Sequence, residues 1–423
     1  MKRLTVLGAL AVLPLSLVLA GCDGDEGGLA DAGDDSGSDE LRIEVAGDIT
    51  EDTTWSADHI YVLTGITFVK GATLTIEPGT VVEGAGGSVL VIDQDARIEA
   101  VGTADAPIVM TSVLPEGSRN RGDWGGLVLI GDAPANVGVG AAEGFPTPPP
   151  YGGQDEAHDC GRLSYLRVEW AGFELSPGNE LNGITFYACG TGTSVDHVQV
   201  HMGSDDGIEM FGGNFDASHL VVTGAADDSI DCDQGFRGNL QHVFVQQDPA
   251  VGDNCLEWSN QGNDFAATPV TGPTLTNFTC VGSGAGGEKS KGVTLKEGTE
   301  ATIRDALFTD ITNDAMVLLH QVTQDKAEAG AIVVDGVHFC GGAGFAVSDD
   351  EGEVVGWTAA DFENWVMTTG TNAKDSDCGL GSTAWGSPDV QPSASLPGVG
   401  GYAGAVDPDG DNWTLEPWIT YAR

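Results

Sequence analysis

Three short strand-like stretches in the middle of this chain begin with histidine at nearly fixed intervals. His197-Val198-Gln199-Val200, His219-Leu220-Val221-Val222 and His242-Val243-Phe244-Val245 start 22 and then 23 residues apart. Nine residues after the first two histidines come Asp206 and Asp228, and eleven after the third comes Asp253. Each aspartate leads back into an apolar stretch: Ile208-Glu209-Met210-Phe211, Ile230-Asp231-Cys232, Cys255-Leu256-Glu257-Trp258. The pattern continues in degraded form at Thr276–Thr279 with Gly292–Leu295, and at Arg304–Leu307 with Ala315–Leu318. Upstream, Ala72-Thr73-Leu74-Thr75-Ile76 recurs 24 residues later as Ala96-Arg97-Ile98-Glu99-Ala100. A fixed period of this length, holding two or three short strands, describes one coil of a solenoid whose inward face is buried only by the next coil. The expected fold is therefore all-β: a right-handed parallel β-helix with coils of about 22 residues. Leucine-rich repeats share the length but not the signature, and a β-sandwich does not explain the period.

Punctuation supports this. The 63 glycines, with Asp and Asn, interrupt short Val/Ile/Leu/Thr runs throughout, as strands separated by tight turns require. Residues 43–350 are assigned to the β-helix and 351–423 to a C-terminal capping region. Thr358, followed three residues later by Asp361 and by apolar Phe362, Trp365 and Val366, predicts one short helix over 358–367 packed on the end of the stack. Residues 132–160, 283–291 and 322–329 are expected as loops inserted between coils.

The N-terminus has a different character. Lys2 and Arg3 precede an apolar run from Leu4 to Ala20, which is short for a membrane span and has the charge order of an export signal. It ends in Leu19-Ala20-Gly21-Cys22, which resembles the lipobox of bacterial lipoproteins. That likeness implies removal of residues 1–21, lipidation of Cys22 and attachment to a bacterial envelope membrane. Residues 22–42 then form the anchor and an acidic, flexible tether, because they carry too few apolar groups to offset chain entropy.

Charge narrows the partners. With 17 Lys plus Arg against 64 Asp plus Glu, the formal charge is -47. Nucleic acid is excluded as a partner, since phosphate binding needs a basic footprint. An anionic polysaccharide or another envelope component is compatible only through bridging divalent cations such as calcium. Besides Cys22 there are seven cysteines with no CxxC pair, so an exported chain should form disulfides and leave one thiol over. Cys232 with Cys255, Cys255 with Cys280, Cys160 with Cys189 and Cys340 with Cys378 are the spacings on offer.

Two family likenesses rest on specific residues. Ala72–Val82, Gly122–Gly131 and Asn412-Trp413-Thr414 with Trp418 are similar to bacterial envelope lipoproteins with a right-handed β-helix domain, a likeness that implies fold and location but no reaction. Ser204-Asp205-Asp206 and Asp227-Asp228, one coil apart, resemble the acidic turns of polygalacturonase-type glycoside hydrolases. The second likeness implies Asp206, Asp227 and Asp228 as catalytic carboxylates, and it breaks down at Gly252-Asp253-Asn254, where the family has a histidine. A calcium-dependent lyase is the related alternative, with Asp205, Asp206, Glu209, Asp227, Asp228 and Asp231 around a cation and Arg237 or Lys296 as base. Against both stands the plain requirement that each coil must turn at these aspartates, and the expectation adopted is a non-catalytic binding or surface-structural role. Asp407, Asp409 and Asp411 alternate as in a calcium loop. His197, His219 and His242, in register with Asn277 and Asp305, are expected to stack as a ladder between coils.

Overall fold

The computed structural model describes residues 41–173, 181–287, 290–342, 344–349, 351–354 and 356–422. Residues 1–40, on which the expected export signal, Cys22 and most of the expected tether fall, lie outside them. Among the described residues two parallel sheets, of 16 and 10 strands, run the length of a right-handed β-helix. The coils pair residue for residue: Val198 with Leu220, Leu220 with Val243, Val243 with Phe278 and Phe278 with Ala306. Insertions lengthen some coils without shifting this register.

Alternation explains both sheets. In the short sheet Ile208 and Met210, Ile230 and Cys232, and Leu256 and Trp258 point into one continuous core, while Glu209, Asp231 and Glu257 fall on the outer face, as a period of two requires. Six successive strands of the long sheet, from Gly161–Glu169 to Ala301–Thr309, each bend once. At the bend, Tyr165, His197, His219, His242, Asn277 and Asp305 are left-handed, with φ between 46° and 56°, and drop out of the pairing register. Asn, Asp and His tolerate this conformation better than most side chains. Corner geometry therefore selects the residue types in this column, and the rings stack as a consequence. His197 lies 4.2 Å from His219, which lies 5.0 Å from His242. Burial works against the Asp196 charge, but His197, His219 and the Ser218 hydroxyl outweigh it and hold that carboxyl well below its usual range.

Disulfides join Cys160 to Cys189, Cys255 to Cys280 and Cys340 to Cys378, leaving Cys232 free and buried. Two α-helices occur among the described residues, where the sequence pointed to one. Helix α1 (Gln321–Glu328) occupies the insertion read as a loop over 322–329. Its polar residues hid it, since only Thr323, Gln324 and Ala327 are buried, but they are helix formers ended by Gly330. Helix α2 (Ala359–Thr369) carries the expected capping box between Thr358 and Asp361. Its Phe362 and Val366 are buried, with Phe362 5.8 Å from Phe345 on a late coil.

The chain then turns back. Residues 397–422 run along the bent face of the long sheet in the direction opposite to coil order. Pro397 O accepts from His338 (2.9 Å), Gly400 N–H donates to Asp305 (3.0 Å), Asn277 donates to Tyr402 O (3.3 Å) and His242 bonds Ala405 O (3.1 Å). Gln199 bonds Thr420 twice and His201 bonds Ala422 O at 2.7 Å. Trp413 and Trp418 stand edge-on to His219 and His197, and with Val390 and Ile419 they bury Val221, Phe244 and Val281.

Candidate functional site: an acidic strip on the short sheet

Where four successive short-sheet strands begin, one side chain per coil falls in the same register: Asn182, Asp206, Asp228, Asn254. Asp206 Oδ1 accepts the backbone N–H of Asp228 at 2.9 Å. Asp228 Oδ1 accepts the backbone N–H of Asn254 at 2.7 Å and its Nδ2 at 2.8 Å. Asn254 Oδ1 accepts the Thr294 hydroxyl at 2.6 Å. Asp206 and Asp228 are thus tied into the turns by bonds from coil to coil.

Three residues further on, Thr185, Glu209, Asp231, Glu257 and Thr294 form a second column. The two columns converge, with Asn182 Nδ2 donating to Glu209. Oxygens of Asp206, Glu209 and Asp231 lie within 4.8 Å of one another. So do those of Asp205, Asp206 and Asp227, and those of Asp227, Asp228 and Asp253, nearer the solvent. Asp231 Oδ1 and Asn182 Oδ1 are buried without a hydrogen-bond partner. Among the described residues Asp206, Glu209 and Asp231 form no ion pair with Lys or Arg. Burial, then the neighbouring carboxylates, pushes Asp206, Asp228 and Asp231 well above the usual range, and Glu209 likewise. Burial also pushes Asp233 up to about 7.

One side of the strip is roofed by the 132–160 insertion. Tyr151 lies tilted against Tyr187 at 4.7 Å, Tyr187 stacks over Phe211 at 4.8 Å, and Tyr151 donates to Gln234. Lys291 and Lys296 mark the far end. Lys291 Nζ is 3.0 Å from Asp253, and Lys296 Nζ is 2.8 Å from Glu257 and 2.6 Å from Glu351. Burial disfavours the Lys296 ammonium, but Glu257 and Glu351 outweigh it and leave this lysine more basic than usual. Arg237 lies past the other end of the Ile230–Asp233 strand, 3.9 Å from Glu156.

The structure therefore brings Asp205, Asp206, Glu209, Asp227, Asp228 and Asp231 together. It does not bring Asp407, Asp409 and Asp411 together: Asp407 Oδ1 folds back on the Asp409 N–H at 2.9 Å, so its oxygen serves the turn. The sequence reading passed over Asn182, Asp233 and Glu257 as members of the strip. Strand alternation in Ile230–Asp233 and Asn254–Trp258 carried that signal.

A calcium ion needs several oxygen ligands at about 2.3–2.6 Å. The inner triad of Asp206, Glu209 and Asp231 is all oxygen and among the described residues pairs with no Lys or Arg, and Asp231 Oδ1 and the adjacent Asn182 Oδ1 are buried with no hydrogen bond, so this triad fits a hard divalent cation.

A sequence model of the family described as pectate-lyase like beta helix domain matches residues 47–388. No curated protein and no solved structure matches the chain.

Proposed function

The chain belongs to the pectate-lyase-like β-helix family, and from that premise we propose that it is a carbohydrate-binding envelope protein whose acidic strip engages anionic polysaccharide through divalent cations without cleaving it. The observation that carries this reading is the group formed by Asp206, Glu209 and Asp231, whose oxygens gather within 4.8 Å with no basic side chain among them. Carboxylates crowded this closely repel one another unless protonated or neutralised by a cation. Bound calcium would supply charge neutralisation and open coordination positions for the carboxylates of a glycan. The buried triad serves the first role, and the outer group of Asp205, Asp206 and Asp227 serves the second. We include in the proposal lipidation of Cys22 and attachment to a bacterial envelope membrane, resting on the lipobox likeness.

The hydrolase reading fares less well. Asp206 and Asp228 each hold a backbone N–H of the next coil. For a lyase, Lys296 is fixed as an ammonium by two glutamates, which removes it as a base.

The deciding experiment pairs calcium titration with polysaccharide retention. The wild type should retain polygalacturonate in calcium and release it in EDTA, and Asp205→Asn with Asp227→Asn should abolish retention in a still-folded protein. Release of new reducing ends or unsaturated products by the wild type would replace binding with catalysis.

A further inference from the structure

A cavity lies on a different wall from the acidic strip, at the ends of long-sheet strands. Its volume is about 340 Å³, and its lining includes Arg119, Arg167, Glu169, Trp170, His201 and, at the exposed rim, Glu116. In a chain of net charge -47, two arginines converging on one hollow stand out. Glu169 holds them: its Oε1 takes Arg167 Nε at 2.8 Å, and its Oε2 takes the Thr111 hydroxyl at 2.9 Å and faces Arg119 Nη1 at 3.8 Å. Arg119 Nε is fixed on Leu114 O and Arg167 Nη1 on Trp418 O. Among the described residues Nη2 of each arginine makes no hydrogen bond. Two guanidiniums share one buried carboxylate on the floor, with Glu116 set apart at the exposed rim, and each guanidinium keeps donors free for an anion.

Trp170 adds an independent observation. It is left-handed, with φ 62°, in the same register as Met202 and Gly224. Glycine meets that backbone requirement without steric cost, and a bulky aromatic does not. Met202 at the equivalent turn of the next coil is left-handed too, with φ 60°, so the conformation is the coil's own and sets Trp170 in the wall of the hollow. Here the Trp170 N–H is held by His201 O at 2.9 Å, and its ring stands edge-on to the His201 imidazole at 5.8 Å. That imidazole is fixed in turn by Thr223 and Ala422 O, both at 2.7 Å. The indole is locked as a wall of the hollow. Aromatic walls take the apolar faces of rings, and Glu116 at the rim offers acceptors for hydroxyl groups.

We propose that this cavity binds one anionic sugar unit, its carboxylate or sulfate against Arg119 and Arg167 and its ring face against Trp170. The size accords with this, since pockets of about 300 Å³ are at the small end of ligand sites. The site needs no cation, which separates it from the acidic strip.

The test is binding of D-glucuronate, galactose 6-sulfate and neutral galactose to the full chain in EDTA, followed by ligand-observed NMR and titration calorimetry. One or both anionic sugars should bind and galactose should not, and the better of the two names the anion. Trp170→Gly relieves the left-handed strain, so it should fold, and it should lose affinity by about tenfold or more. Arg119→Gln, in a surface loop, should do the same. The proposal falls if neither anionic sugar binds the wild type. It falls equally if galactose binds as well as they do, or if both folded variants keep wild-type affinity. Because calcium is absent throughout, failure here leaves the cation-dependent retention experiment unaffected.

Discussion

Single side chains in this protein answer to two masters, the coil geometry and the charge they carry. Asp228 shows it: its Oδ1 accepts two bonds from Asn254, while burial raises its pKa. Asp228→Asn keeps an acceptor and removes the charge, so without calcium its stability should match or exceed the wild type. Asp228→Ala leaves the Asn254 donors unpaired and should cost about 1–3 kcal/mol, read from urea unfolding in EDTA. The pH dependence follows from the same carboxyls. Asp206, Glu209, Asp228, Asp231 and Asp233 all have folded values above their unfolded ones. Their contribution is complete below the ordinary carboxylate value near about 4. It is lost as pH rises through the folded values, Asp233's about 7 among them. Melting temperature in EDTA should therefore fall from pH 4 to pH 8, and saturating calcium should remove most of the fall. An equal calcium effect at both pH values would refute cation binding at these groups. At the corner column, His219→Asn should be tolerated. His219→Val should cost about 1–2 kcal/mol, because a β-branched residue resists the left-handed conformation, and thermal melts of the two variants side by side decide it.

At the scale of elements, the capping box of α2 is the sharpest local signal in the chain. Thr358→Ala removes the hydroxyl that accepts the Asp361 N–H and should lower stability by about 1 kcal/mol, with early loss of the Trp357 and Trp365 fluorescence signal on heating. The repeat, the strand alternation and this cap were all legible beforehand, because each is a local pattern with a geometric meaning. Helix α1 was not, since Val322 and Ala327 alone among its eight residues offer no apolar stripe. The acidic strip was half legible: the turn aspartates announce themselves by spacing and Asp233 and Glu257 by strand alternation, whereas Asn182 joins them only because coils of unequal length restore the same register. The arginine hollow was illegible. Arg119 and Arg167 belong to a loop and a strand far apart in sequence, and only the stacking of coils sets both against Glu169.

At the scale of the molecule, charge and length govern. A surface this acidic repels itself at low ionic strength, so raising sodium chloride in EDTA should increase the melting temperature. A solenoid in which each coil touches only its neighbours unfolds as a chain of loosely linked units. The returning segment 397–422 changes the connectivity, because it bonds the coils of His338, Asp305, Asn277, His242 and Gln199 in one pass. Ending the chain after Ser395 should therefore turn a single steep unfolding transition into a broad or stepped one, with proteolysis beginning near Phe244 and Val281. In the intact protein the returning segment acts like the stitched spine of a book. Leaves that would otherwise slip away one at a time are held together, so they loosen all at once or not at all.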